Sequence, residues 1–229
     1  MERRIGRREV IGAAGAAAVI GAMSSSAFAQ GEAAKRKIIG ISCSPRKGKT
    51  TAAALDVCLK AARNASPDID TELIELAGLS IPAQLVAGQP LREGEVDDFP
   101  ELVPKLADPT VAGIIVGSPV YFGNMTALCK AFLDRCAAFR NDGFKLRNKV
   151  AGALAVGGAR NGGQELTIRS IQTALMCQDM IVVGDGQPSA RIGATLWNQN
   201  DSIAEDDFGT ETAENLGRRV AELAGLLGR

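Results

Sequence analysis

The chain predicts an α/β domain built on a doubly wound parallel sheet, and three observations lead there. Strand-like and helix-like segments alternate from about residue 37 onward. The central strand segments, residues 112–117 and 150–156, are apolar without interruption. Strands of that kind are buried on both faces, which is the condition of a parallel sheet covered by helices on both sides. Five strands and five helices in about 200 residues is also the size of one such domain with a full core.

The elements follow in order. Residues 37–42 (Lys-Ile-Ile-Gly-Ile-Ser) read as a buried strand. A helix over about 50–65 places Leu55, Leu59 and Ala62 at helical spacing. Residues 70–76 alternate apolar and polar, a second strand. Residues 77–95, with Pro82, Pro90 and several glycines, are irregular, and a short helix spans about 98–107. After the strand at 112–117, a helix over 125–139 carries Leu128, Phe132, Cys136 and Phe139 on one face. The strand at 150–156, a helix at 164–177 and a strand at 180–184 follow. A long loop holding Trp197 then runs to about residue 209, and the last helix ends at Gly228.

Composition narrows the function classes. Of 229 residues, 46% are hydrophobic, 23% charged and 4% aromatic, so the core is globular and lean in rings. The formal net charge is +0. Residues 1–29 hold Arg3, Arg4, Arg7 and Arg8 against Glu2 and Glu9. Taking these from the totals of 26 and 26 leaves 22 basic and 24 acidic residues, without the strong basic excess a nucleic-acid surface needs. There is no histidine, so His-based triads, bases and metal ligands are excluded. Five cysteines, Cys43, Cys58, Cys129, Cys136 and Cys177, form no C-x-x-C pair and suggest neither a metal site nor a disulfide scaffold. They read as buried small apolar residues, with Cys43 partly exposed in its loop.

The first 29 residues read as an address. A basic start with Arg7-Arg8-Glu9-Val10-Ile11 precedes an uncharged, Ala- and Gly-rich run, and Ala27-Phe28-Ala29 offers a small-x-small cleavage site. The pattern resembles the twin-arginine export signal. Gly12, Gly15, Gly21 and Ser24 to Ser26 weaken the rival reading of a spanning helix. The expectation is a removable signal at 1–29, a linker at 30–36 and a domain at 37–229, working in the periplasm without stable membrane insertion.

Ligands of doubly wound sheets bind outside the carboxyl ends of the strands. The first loop there holds Ser42, Cys43, Ser44, Arg46, Lys47, Gly48, Lys49, Thr50 and Thr51 at a helix start. Free N–H groups at a helix N-terminus, hydroxyls and cations together suit an anion. The helix dipole contributes only about 0.3–1 kcal/mol. Hydrogen bonds to a charged group contribute about 1.5–3 kcal/mol each. Several of these with ring burial reach the roughly 8–12 kcal/mol of micromolar-to-nanomolar binding. Gly48-Lys49-Thr50 also ends like a nucleotide P-loop, but Cys43 stands where its first glycine belongs, so the tight cradle is incomplete.

The second loop runs Gly117-Ser118-Pro119-Val120-Tyr121-Phe122-Gly123-Asn124-Met125-Thr126. Its two adjacent aromatics either join the core or support a flat ring by stacking. The third loop, Gly157-Gly158-Ala159-Arg160-Asn161-Gly162-Gly163-Gln164-Glu165, brings four glycines that let backbone amides face a ligand closely. Its plain alternative is a flexible connector. Three such loops at one edge favour one composite site, with no metal ligands in it.

At these residues the chain resembles a family. Ser44-Pro45-Arg46, the run from Gly117-Ser118-Pro119-Val120-Tyr121-Phe122 to Lys130-Ala131-Phe132-Leu133-Asp134-Arg135, and Gly157-Gly158 with Gly162-Gly163-Gln164-Glu165 are similar to the flavodoxin-like NAD(P)H-dependent FMN reductase and iron–sulfur flavoprotein family. The resemblance spans about Lys37 to the C-terminus. It implies a five-stranded parallel sheet of order 2-1-3-4-5 with FMN at its edge. It places the FMN phosphate at Ser42, Ser44, Arg46, Lys49, Thr50 and Thr51. The isoalloxazine ring then meets Pro119, Val120, Tyr121, Phe122, Gly123 and Asn124, and Gly157, Gly158, Gly162 and Gly163. It also implies homodimers or homotetramers. One departure stands out: Ala83 and Val86 occupy the region where iron–sulfur members carry clustered cysteines.

The expected chemistry is transfer of hydride or electrons from NAD(P)H or another small donor, through FMN, to a quinone or similar small acceptor. Tyr121 and Arg160 are the candidates at the flavin edge, Arg160 equally a solvated loop charge. A non-enzymatic periplasmic electron carrier is the alternative, and the modest net charge argues against it. A flavin-storing module with little turnover is a further one. Trp197 reads as ordinary packing rather than as a cover for a neighbouring subunit's flavin.

Overall fold

A computed structural model describes residues 35–227. The expected signal at residues 1–29 and most of the expected linker lie outside them, as does the expected helix end at Gly228. The strands are β1 (Arg36–Ser42), β2 (Ile69–Glu75), β3 (Val111–Pro119), β4 (Val150–Gly157), β5 (Ile181–Val182) and β6 (Ala194–Trp197). The helices are α1 (Thr50–Ala65), α2 (Phe99–Ala107), α3 (Ala127–Arg135), α4 (Ala137–Asn141), α5 (Gln164–Met176) and α6 (Asp207–Leu227). All strand pairs are parallel and the order is β2-β1-β3-β4-β5, with β6 also on β4. This is the expected flavodoxin-like order, with a sixth strand added.

The central strands are the apolar ones. Every residue of β4 is buried, and so are six consecutive residues of β3. One face of the sheet packs with α2, α3 and α5 through Leu102, Phe132 and Ile168. The other packs with α1 and α6 through Leu55, Leu59, Leu216 and Val220. A Cβ at Gly217 would lie 2.0 Å from the carbonyl oxygen of Cys58, so only glycine lets α6 cross α1 this closely. Burial of this kind is worth about 25 cal/mol per Å² of apolar surface. That energy, rather than intrinsic propensity, holds these helices on the sheet.

Three expectations need correction. The last strand is not continuous over 180–184. It is two residues long as β5, and the chain then leaves the sheet and returns as β6, inside the stretch read as loop. The excursion folds around the buried carboxylate of Asp185, which accepts from Ser189 Oγ (2.5 Å) and the Arg191 backbone N–H. No local period marks a strand of four residues. Second, the helix expected over 125–139 starts at Ala127, because the Thr126 hydroxyl caps it by accepting from Cys129 N (3.0 Å), and it breaks at Cys136. No Gly or Pro marks the break. Third, β1 begins at Arg36, paired with Ile69, so the expected linker is one residue too long.

Candidate functional site

β1 ends at Ser42, the first residue of loop one. Ser42 is 0% exposed, and its Oγ has no hydrogen-bond partner among the described residues. A buried hydroxyl without a partner costs about 1–3 kcal/mol, so it points to a missing acceptor. Ser44 Oγ sits 3.1 Å from both the N–H and the carbonyl oxygen of Arg46, closing a tight local turn. Gly48 has φ +64, which permits the reversal into α1. Lys49 is the N-cap residue of α1 and makes no side-chain cap bond, and no acidic residue stands in the first turn. The N-terminus of α1 is therefore electropositive and uncapped by side chains. Thr50 and Thr51 are buried there. The cations Arg46 and Lys49 both reach Asp201, at 2.7 and 3.3 Å, and Glu75 Oε2 accepts from Gly48 N at 2.7 Å.

Cys43 departs from expectation. It is fully buried rather than partly exposed, and burial together with its contact to Cys129 pushes its thiol well above the ordinary range. It is a core residue whose backbone is used: its N–H donates to Gly117 O (2.8 Å) and its carbonyl accepts from Thr126 Oγ1 (2.8 Å). Cys58, Cys129 and Cys136 are buried as expected, and Cys177 is exposed.

Loop two begins as β3 ends. Ser118 is buried, and its hydroxyl donates to Pro119 O (2.8 Å) and accepts from Thr126 N (3.1 Å). Val120 N donates to Val156 O (2.9 Å). Tyr121 and Asn124 exchange backbone hydrogen bonds of 2.8 and 3.1 Å around Phe122 (φ 50) and Gly123 (φ 77). Positive φ at both central residues is the geometry of a type I′ turn. Phe122 stands at its tip and is fully exposed, while Tyr121 is 46% exposed. The core reading of the two aromatics is therefore overturned. Phe122 is thus held outside the core at a positive φ that non-glycine residues seldom adopt.

Loop three is more tightly built than a flexible connector. Gln164 Oε1 accepts from Gly162 N (2.8 Å), and its amide nitrogen donates to Ala159 O (2.6 Å) and Leu196 O (3.1 Å). A Cβ at Gly157 would meet that amide at 2.5 Å, and one at Gly162 would meet Ala159 O at 2.9 Å. At Gly163 (φ +100) it would lie 2.9 Å from Gly123 Cα, so loops two and three touch there. These three glycines serve close packing. Gly158, with open space around it, is the one free to let a ligand approach.

Arg160 is not a simple solvated charge. Its guanidinium pairs with the buried Asp206, donates to Thr195 O at 3.4 Å and lies over the rings of Trp197 and Phe208. Trp197, placed on β6, donates its indole N–H to Gly158 O (3.2 Å). Asn198 N donates to Gly157 O (2.8 Å). A cavity of about 320 Å³ lies beside Arg160, walled by Gly163, Leu166, Arg191 and Phe208.

The contacts close a circuit. Loop one joins loop two through Cys43 and Thr126, and loop two joins loop three at Gly123 and Gly163. Loop three joins the segment after β6 through Gly157 and Gly158, and Asp201 returns that segment to Arg46 and Lys49. Reading the chain missed Gln164, Asp201 and Asp206 as builders of this rim. Only the turn-forming run Gln199-Asn200-Asp201-Ser202 hinted at the fourth side of the site. The donor set suits FMN: an orphaned buried hydroxyl, an uncapped helix start and two cations for a phosphate, with exposed aromatics and open backbone at Gly158 for a flat ring.

A doubly wound parallel sheet with this rim defines a flavodoxin-like protein that binds FMN. The chain belongs to the NADPH-dependent FMN reductase family, whose model matches residues 36–195. An iron-sulfur flavoprotein of Methanocaldococcus jannaschii is 43% identical over 198 residues, covering 83% of this chain and 98% of its own. An iron-sulfur flavoprotein of Methanosarcina thermophila is 36% identical over 195 residues, covering 83% and 96%. The flavodoxin, WrbA-like protein from Agrobacterium tumefaciens shares the fold with a TM-score of 0.56 at 17% identity, covering 84% of this chain and 98% of that one. In this chain Ala83 and Val86 lie on a single 3-10 turn, and among the described residues no three His, Cys, Asp or Glu side chains group to hold a metal.

Proposed function

We propose that this FMN oxidoreductase is exported by the twin-arginine route and works in the periplasm as a homodimer or homotetramer. There it passes reducing equivalents from NAD(P)H or another small donor to a quinone or similar small acceptor. The observation that carries the FMN site is the closed circuit of loops, with an unpartnered buried hydroxyl at Ser42 and solvent-facing rings at Tyr121 and Phe122, while export rests on the sequence of residues 1–29. FMN supplies hydride and one-electron chemistry when bound.

The chain's own residues have separable tasks. Ser42, Ser44, Arg46, Lys49, Thr50 and Thr51 hold the phosphate. Residues Pro119 to Asn124 and Gly158 orient the ring, and the packed Gly157, Gly162 and Gly163 hold the loop that presents Gly158. With no histidine in the chain, backbone N–H groups are the donors available to steady negative charge on it. Arg160, through Asp206, fixes loop three against α6. The exposed Phe122 stands at the rim, where a second copy has a ring to meet.

Native purification from separated periplasmic and cytoplasmic fractions tests the proposal, with the released cofactor and the mature N-terminus identified by mass. Steady-state assays then use NADH, NADPH and quinones. The expectation is a yellow periplasmic protein starting near Gln30 that is reduced by a nicotinamide nucleotide and reoxidised by a quinone. An intact N-terminus on wholly cytoplasmic protein sinks export. Reduction by neither nucleotide sinks the NAD(P)H donor and leaves a different donor to be found.

A further inference from the structure

The phosphate cradle already holds an anion. Asp201 Oδ1 accepts from Arg46 Nη1 at 2.7 Å, and Asp201 Oδ2 pairs with Lys49 Nζ at 3.3 Å. These are the two side-chain cations of loop one proposed for the FMN phosphate. The carboxylate belongs to a remote part of the chain, 155 residues beyond Arg46. Its arrival is built rather than incidental. Gln199 and Ser202 exchange backbone hydrogen bonds of 2.8 and 2.9 Å, and Asn200 (φ 52) and Asp201 (φ 62) take the positive φ of a type I′ turn. One end of this turn is tied to loop three through Asn198 N and Gly157 O, and the other follows into buried Ile203.

We propose that Asp201 is a resident counter-anion that competes with the FMN phosphate for Arg46 and Lys49, and so sets how tightly the chain holds FMN over flavins without phosphate. The inference rests on the phosphate reading of loop one. The charge arithmetic supports it. Two cations already face one carboxylate at Asp201, and Glu75 holds the Gly48 N–H. A phosphate monoester brings a charge of about −1.5 to −2 at neutral pH. It therefore enters a cradle whose cations Arg46 and Lys49 are already engaged by a carboxylate, and it meets that charge at close range. Removing the Asp201 charge frees both cations and removes one repulsion. Riboflavin, which has no phosphate, is indifferent to either change.

The test is fluorescence titration of cofactor-free full chain with FMN and with riboflavin, for wild type, Asp201→Asn and the double variant Arg46→Gln/Lys49→Gln. Asparagine adopts positive φ readily, so D201N keeps the turn, and its circular dichroism melt checks that. D201N should bind FMN about three- to tenfold tighter, the scale of two solvent-exposed ion pairs, with riboflavin changed less than about twofold. Weaker or unchanged FMN binding by D201N, or an equal gain for both flavins, overturns the counter-anion. An unchanged FMN affinity in the double variant overturns the phosphate reading itself. A weakened double variant beside an unimproved D201N overturns the Asp201 role alone.

Discussion

Ser42→Ala separates stability from binding, because the two respond with opposite sign. The Ser42 hydroxyl is buried, with no hydrogen-bond partner among the described residues. An unsatisfied buried hydroxyl costs about 1–3 kcal/mol, and its removal leaves a methyl in a site of nearly the same size. Some of the gain is lost to imperfect packing, so the cofactor-free variant should gain about 1 kcal/mol. For a domain near 200 residues that raises Tm by about 2–4 °C. If that hydroxyl donates to the FMN phosphate, as proposed, the bond is worth about 1.5–3 kcal/mol. Its loss weakens FMN binding about ten- to a hundredfold at 1.4 kcal/mol per decade. Differential scanning fluorimetry of the stripped protein and fluorescence titration with FMN read the two effects. A variant that melts lower without cofactor yet binds FMN as well as wild type would falsify the assignment of Ser42 to the phosphate.

Three further outcomes follow from named contacts. Gly163→Ala puts a methyl 2.9 Å from Gly123 Cα at φ +100. It should cost about 2 kcal/mol and weaken FMN binding as loops two and three part; an unchanged melt means the loops do not meet there. Arg135 pairs with Asp97 by two bonds of 2.8 Å, with side chains 11% and 13% exposed, and also donates to Pro82 O, pinning the segment that holds residues 83–87. Arg135 holds the Asp97 carboxyl below the usual carboxylate range. A depressed folded value gives stability that is complete above the unfolded value near 4 and is lost as pH falls through the folded value. Wild type should therefore exceed Asp97→Asn by a constant margin of about 2 kcal/mol from pH 7 to about pH 5, shrinking below about pH 4; thermal melts across that range showing a margin that grows in acid refute the pairing. Phe122→Ala should leave Tm of the cofactor-free protein within about 2 °C, since the ring is exposed, while weakening FMN or subunit association by the roughly 0.5–1.5 kcal/mol of an aromatic contact. A large drop in Tm would put the ring in the core instead.

What the linear chain determined was everything governed by short-range pattern. Uninterrupted apolar runs at β3 and β4 and helical spacing at Leu55, Leu59 and Ala62 depend only on neighbours a few residues apart. Together they specify the parallel sheet and the edge where its loops must gather. Loop chemistry such as Gly48 beside two cations is local in the same way. Tertiary structure decided what depends on residues far apart in sequence. The β5 strand splits because Asp185 gathers a turn around itself and β4 has room for a second partner strand. Cys43 is buried because it joins the core cluster that also holds Cys129 of α3. Arg160 is committed because Asp206 waits 46 residues on, and the cradle's cations are occupied because a turn 155 residues from Arg46 folds over them. No local period encodes such pairings; they exist only once the core energy has brought the strand ends together.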